Sequence, residues 1–365
     1  MIREKTNKLL IITFIVIILT PAVIQITGIE HLFLSNQSAT LENRFSGDIL
    51  IRPKSFIKDI KTYYSNNFGG RNSIYLAYKK FTQNALKENP LPDKVVQGSN
   101  GWLFLGNSFS DAYSESLGYK QFSKNELQQI ANKIKHQREW LEERSIQYYI
   151  SVAPNKHTVY KEYLPFKSFK VKTRLQVLKE YLKEKINFEL IDLKENIIPI
   201  KDSINLYHKF DSHWNDHGAF LGYEKLMDNL QLKNQIIKKQ RMFFSDIVLD
   251  TIINEIGGLN KVLMNTNREE WKILKKKQSD YLQLPDIYIG KIDDYENRFL
   301  NKTKKLKILI FRDSFSIALQ KYINETFGET VLIWNFDFDK DLIEKEQPDI
   351  VLYEVVERYL EKLKD

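Results

Sequence analysis

From about residue 123 to the end, short continuous apolar runs alternate with segments of helical spacing. Residues 146–153, 188–193, 307–311, 330–334 and 349–355 read as strands. Between them, residues 172–185, 216–230, 315–325 and 340–346 carry apolar positions at helical intervals. Ser123-Lys124-Asn125-Glu126 is a capping box that opens a further helix to about residue 143. Unbroken apolar strands separated by helices specify a parallel sheet covered on both faces, an α/β architecture.

Upstream, residues 55–68 and 73–86 have helical spacing, the prolines of 89–93 mark a loop, and 101–105 reads as a short buried strand. Residues 231–300 interrupt the alternation. They form a polar, lysine-rich insertion with one apolar stretch of helical character at 247–256.

At the N-terminus, residues 9–29 are almost entirely apolar. A run of about 20 such residues spans a bilayer core. Arg3, Lys5 and Lys8 precede it, which favours a cytoplasmic N-terminus and places everything after about residue 30 outside the cytoplasm. Thr20-Pro21-Ala22 is a poor cleavage site, so the segment reads as an uncleaved single-pass anchor rather than a signal peptide. The chain thus divides into an anchor (1–29), a stalk with helices leading out of it (30–94) and a working domain (95–365). An exported domain disfavours ATP-dependent chemistry and cytoplasmic partners.

Cysteine is absent from the 365 residues, which excludes thiolate metal sites, cysteine nucleophiles and disulfides. The net charge is 55 − 47 = +8, yet the lysines are dispersed and often adjoin glutamate, as in Lys179-Glu180 and Lys183-Glu184. That is the pattern of solvated helix faces, and no groove-reading motif accompanies it, so no nucleic-acid partner is expected.

Three segments carry residues suited to chemistry. In Asp211-Ser212-His213-Trp214, the carboxylate and imidazole two apart can pair, leaving the second ring nitrogen free as a base. A hydrogen-bonded structural histidine fits the same pattern. His208, His213 and His217 with Asp211 also raise a metal site, which the position of His213 ahead of the helix argues against. Second, Arg312-Asp313-Ser314-Phe315-Ser316 puts serine at the end of a strand, just before a helix. Nucleophile and N-cap are the competing roles there, and Asp313 or Ser316 can cap in place of Ser314. Third, Pro154-Asn155-Lys156 ends another strand on the same rim, where Asn155 can donate to an oxyanion and Lys156 can meet an anionic substrate. A proline–asparagine turn is the plain alternative.

Gly101-Trp102-Leu103-Phe104, Ala153-Pro154-Asn155-Lys156 with Tyr160, Asp211-Ser212-His213-Trp214, Arg312-Asp313-Ser314-Phe315 and Glu354-Val355-Val356-Glu357-Arg358 occur in that order. Together they resemble the alginate O-acetyltransferase group of the SGNH-hydrolase-like superfamily, the acetyltransferases of bacterial exopolysaccharides. The resemblance implies an SGNH-like α/β domain over 95–365, with Ser314 as nucleophile, His213 as base and Asp211 as its orienter. It implies transfer of acetyl to a polysaccharide hydroxyl without a cofactor or metal, the donor arriving through a polytopic membrane acyltransferase. Asn155, Lys156, Arg312 and Trp214 are the candidates for substrate or oxyanion contact. Arg312 stands where many superfamily members carry glycine. Trp214 and Trp102 are candidates to stack on a sugar ring, with core packing as the alternative. A polysaccharide esterase using the same triad and a non-catalytic scaffold are the rival functions.

Overall fold

A short antiparallel pair, β1 (Val95–Gln97) with β2 (Leu103–Leu105), leads into the main sheet. That sheet is built on β3 (Gln147–Ala153) and β4 (Ile191–Asp192). β5 (Ile247–Glu255) and β6 (Glu269–Lys276) form a separate antiparallel ribbon. β7 (Leu282–Gln283), β8 (Ile287–Tyr288), β9 (Tyr295–Leu300), β10 (Lys307–Phe311), β11 (Glu329–Ile333) and β12 (Ile350–Val356) return to the main sheet. Its order is β4-β3-β12-β10-β11-β9-β7, with β8 also paired to β9. The computed structural model describes residues 2–27, 68–166, 172–285, 287–288 and 295–364. It falls into two units, Met1–Pro90 and Leu91–Asp365.

In the first unit, the helix Ile2–Thr27 carries an apolar window, Thr6–Ile24, long enough to cross a membrane. A second helix runs over Arg71–Phe81 and continues as a wider turn through Leu86. The stalk helix expected over 55–68 lies outside the described residues but for Phe68.

In the second unit, β4, β3, β12, β10 and β11 are parallel, as the unbroken apolar runs require. Alternate strand residues feed two cores. Tyr148, Ile150, Val152, Leu309, Phe311, Val351 and Tyr353 face the helices Lys124–Glu142, Arg174–Ile186 and Lys340–Glu346. Tyr149, Ile308, Ile310, Leu332 and Leu352 face Asp216–Leu230 and Ser316–Ile323. The helix at 124 starts on its capping box, with the Glu126 N–H donating to Ser123 Oγ and the Ser123 N–H donating to Glu126.

The insertion departs from expectation. Residues 247–255 form a strand, not a helix, because Ile247, Val248, Ile252 and Ile253 are β-branched and pair in register with β6. β9, β7 and β8 add antiparallel strands beyond β11, so the sheet is mixed rather than wholly parallel. The strand expected over 188–193 is reduced to Ile191–Asp192.

Candidate active site

Ligands of open α/β sheets bind beyond the carboxyl ends of the parallel strands. Here β3 delivers Pro154-Asn155-Lys156 to that rim, β10 delivers Arg312-Asp313-Ser314, and β12 delivers Glu357-Arg358. The 207–214 loop joins them as a small hairpin: Tyr207 bridges Trp214, and the His208 N–H donates to the His213 carbonyl at 3.2 Å. Its end is set by the Asn215 cap, which accepts from the Gly218 N–H at 3.0 Å.

At this rim, residues 101 apart in sequence meet. His213 Nε2 lies 2.8 Å from Ser314 Oγ. His213 Nδ1 lies 2.7 Å from Asp211 Oδ1. Asp211 Oδ1 also accepts from the His213 N–H at 3.1 Å, and Oδ2 accepts from the Gly258 N–H at 2.6 Å. Burial alone would raise the Asp211 carboxyl. The hydrogen bonds and charge of His213, with the Gly258 N–H, overcome that and hold it well below the usual carboxylate range. The carboxylate stays ionised and acceptor-only, so Nδ1 carries the proton and Nε2 presents its lone pair to the serine.

No side chain caps the helix Ser316–Ile323, whose N-cap is Phe315, so neither Ser314 nor the expected Asp313 or Ser316 fills that role. Asp313 Oδ1 accepts from the Phe315 N–H at 2.8 Å and Oδ2 from the Val356 N–H at 2.7 Å. Ser316 donates to Glu354 Oε2 at 2.8 Å. Glu354 is fully buried, and burial with the charge of Asp313 pushes its carboxyl well up.

The four further candidates are all turned into the structure. Lys156 is 2% exposed, and its ammonium donates to the carbonyls of Leu103 (2.6 Å), Lys209 (2.9 Å) and Asp211 (2.9 Å). This corrects its assignment to an anionic substrate: the ammonium faces the backbone, not the solvent. Asn155 is buried, its N–H donates to Glu357 Oε2 at 2.8 Å, and its side-chain oxygen accepts from Arg358 Nη1 at 3.2 Å. Arg312 is buried with Nη2 donating to Asn297 Oδ1 at 2.6 Å and its guanidinium 4.3 Å from the Trp334 ring centre. Trp214 is a core residue, not a sugar platform: it is 1% exposed, donates to the Phe315 carbonyl at 3.0 Å and packs against Gly222. Trp102 is likewise buried, stacked on Tyr160 and Tyr163.

The insertion supplies parts of the site that sequence reasoning missed. Glu269 of β6 accepts from the N–H groups of Lys209 (2.6 Å) and Phe210 (3.0 Å). Trp271 of β6 stacks on His208 at 3.8 Å between ring centres. Gly257-Gly258 is the only local signal of this role. A Cβ on Gly257 would stand 2.4 Å from the Phe210 carbonyl oxygen, and one on Gly258 would stand 2.8 Å from Asp211 Oδ2. The His208 ring stacks on Trp271 and the His217 ring lies beside Phe244, and among the described residues no three His, Asp or Glu side chains converge as a metal-holding group.

A sequence model of the SGNH hydrolase-like domain of the acetyltransferase AlgX matches residues 95–336, about two thirds of the chain. The chain belongs to this family. Solved structures repeat its fold at low identity. Bacillus cereus PatB1 is 19% identical with a TM-score of 0.54, over 73% of this chain and 97% of that one. The O-acetyltransferase domain of Pseudomonas putida AlgJ is 16% identical with a TM-score of 0.52, over 73% and 92%. A DHHW family protein of Eubacterium siraeum is 14% identical with a TM-score of 0.52, over 73% and 95%. No curated protein matches the chain closely enough in sequence to count as a relative. As an SGNH hydrolase-like acetyltransferase domain, the 95–336 region contains His213 and Ser314 and also the whole insertion.

Proposed function

We propose that this chain moves acetyl groups onto hydroxyls of an exported or cell-surface polysaccharide through an acyl-Ser314 intermediate. The observation that carries the reading is the continuous relay Asp211–His213–Ser314, with contacts of 2.7 and 2.8 Å. His213 Nε2 takes the Ser314 proton as Oγ attacks the acyl carbonyl. The donor's leaving group departs with that proton, and acetyl remains as an ester on Ser314. A sugar hydroxyl then attacks the ester, gives its proton to Nε2, and Ser314 Oγ takes it back on release. Asp211 holds the ring and stabilises the imidazolium of both steps.

Membership of an acetyltransferase family supports the reaction class. The polysaccharide acceptor is what the resemblance to exopolysaccharide acetyltransferases implies for a chain of the AlgX acetyltransferase family. The apolar helix with Arg3, Lys5 and Lys8 ahead of it supports an anchored domain outside the cytoplasm, and in this proposal a polytopic membrane acyltransferase, implied by the family resemblance alone, delivers the donor. The His213 side chain is 36% exposed, which leaves water a path to the ester and favours esterase activity as the second reading.

Replacing Ser314 by Ala in the producing cell separates the outcomes. Ester-linked acetate on the envelope polysaccharide, released by mild base, falls if the chain is a transferase. It rises if the chain is an esterase, and is unchanged if the chain is a scaffold.

A further inference from the structure

The peptide backbone at residues 209–211 is held by opposite charges. On one side, the Lys156 ammonium, on the β3 side of the rim, donates to the carbonyls of Lys209 and Asp211. On the other, the Glu269 carboxylate, from the insertion, accepts the N–H groups of Lys209 and Phe210. The insertion adds the Gly258 N–H on Asp211 Oδ2 and the Leu259 N–H on the Phe210 carbonyl at 3.0 Å. We propose that Lys156 and Glu269 are positioning residues for the reaction, clamping the 209–211 backbone so that the Asp211 carboxylate meets His213 Nδ1. The proposal rests on the triad reading above.

Physical chemistry favours this role over a general contribution to the fold. Burial pushes the Lys156 ammonium down to about 7, opposed by the charges of Glu269 and Asp211; three carbonyl acceptors use all three N–H groups of the protonated form, so its bonds, like those of the carboxylate on two amides, are charge-assisted, shorter and stiffer than neutral ones. Both act on the backbone at the tip of the 207–214 hairpin, beyond its own backbone bond between His208 and His213. Asp211 touches neither substrate nor serine, so an error in its backbone reaches the reaction only through the His213 ring. A displacement of about 1 Å at a distance from the chemistry can cost roughly 100-fold in rate. Through the clamp, the insertion joins the base loop to the sheet that carries Ser314.

The test is a double-mutant cycle of Glu269→Gln and Asp211→Asn in the full chain in detergent, acetylated with 4-nitrophenyl acetate. Glutamine keeps the shape but turns an NH2 toward one of the two N–H donors. Acetylation of Ser314 at saturating ester is expected to fall about 10- to 100-fold in Glu269→Gln, with KM little changed. In the Asp211→Asn background the same change is expected to cost less than about threefold, because Glu269 acts through Asp211. Equal losses in both backgrounds, or a rate within threefold of the parent, would overturn the proposal. Lys156→Gln passes through the same cycle with the same expectations. If both variants are unfolded, the pair is structural and the proposal is wrong.

A second readout separates the clamp from the triad reading. The far-downfield proton resonance of the His213–Asp211 hydrogen bond, identified by its loss in Asp211→Asn, is expected to shift or broaden in Glu269→Gln. If the parent chain never acetylates Ser314 but this resonance responds, the triad reading fails and with it the catalytic role of the clamp, whose hold on the His213–Asp211 bond alone is retained. If Ser314 is acetylated and neither rate nor resonance responds, the clamp fails and the triad reading stands.

Discussion

The indole N–H of Trp214 donates to the carbonyl of Phe315 at 3.0 Å, so the residue after His213 is tied to the residue after Ser314. The Phe315 ring completes the link, 5.1 Å from the His213 ring and 5.2 Å edge-on to Trp214. Two loops whose His213 and Ser314 side chains are 101 positions apart in sequence are thereby locked one position away from those side chains. The 2.8 Å contact between His213 and Ser314 is expected to lengthen when that lock is removed.

Trp214→Phe tests it. The change removes the N–H, leaves the buried Phe315 carbonyl short of a donor and opens space against Gly222. Stability is expected to fall by about 1–3 kcal/mol, the cost of an unsatisfied buried group. Ser314 acetylation is expected to fall more steeply than the melting temperature alone would explain. Thermal melting and acetylation rates measured on the same preparation check both.

Asp211→Asn removes the carboxylate that fixes the imidazole tautomer. Asparagine can donate to Nδ1, which then carries the lone pair and puts the proton on Nε2, facing Ser314. A rate loss of about 10^4-fold is expected, by analogy with other serine triads. Because the folded Asp211 carboxyl sits below its unfolded value, its contribution is present above about pH 3.9 and is lost only as acid protonates it. A rate profile from pH 5 to 9 should therefore show no step that Asp211→Asn abolishes by titration.

Gly258→Ala places a methyl 2.8 Å from Asp211 Oδ2, where the Gly258 N–H now donates. The carboxylate must move, and with it His213. The expected outcome is a fall in acetylation of at least about tenfold, approaching the 100-fold that a misplacement near 1 Å costs, while the melting temperature changes little. Steady-state kinetics beside a melting curve tests the separation.

A stability prediction lies away from the site. Glu346 is buried, which alone would raise its carboxyl. Arg298 at 2.8 Å and Lys307 at 2.6 Å outweigh burial and hold it down to about 2. A lowered folded value stabilises the fold above the unfolded value of about 4.3, and that stabilisation fades as pH falls toward 2. Glu346→Gln should therefore melt lower than the parent at pH 7, with the gap narrowing as pH falls from 4.3 toward 2. Melting temperatures of both chains across pH 2.5–7 decide it.

What is legible in the sequence is local. The capping box at Ser123, the unbroken strands β3, β10 and β12, and the Asp211–His213 spacing depend on neighbours a few residues apart. The contributions of Glu269 and Gly258 are hidden because they act on residues 60 and 47 positions away. The 247–255 strand reads as a helix because Leu249 and Ile252 remain exposed on a two-stranded ribbon, which blurs the alternation of a half-buried strand. Lys156 reads as a surface cation because nothing in its sequence neighbours shows that three carbonyls surround its ammonium.

The central claim is that Ser314 becomes an acyl ester during turnover. Intact mass and peptide mapping of the full chain, quenched early in its reaction with 4-nitrophenyl acetate, test this most directly. The account predicts one added acetyl on the peptide bearing Ser314, absent in Ser314→Ala and much slower to appear in Asp211→Asn. A folded chain that turns over the ester with Ser314 unmodified, or with the acetyl on another side chain, would contradict it.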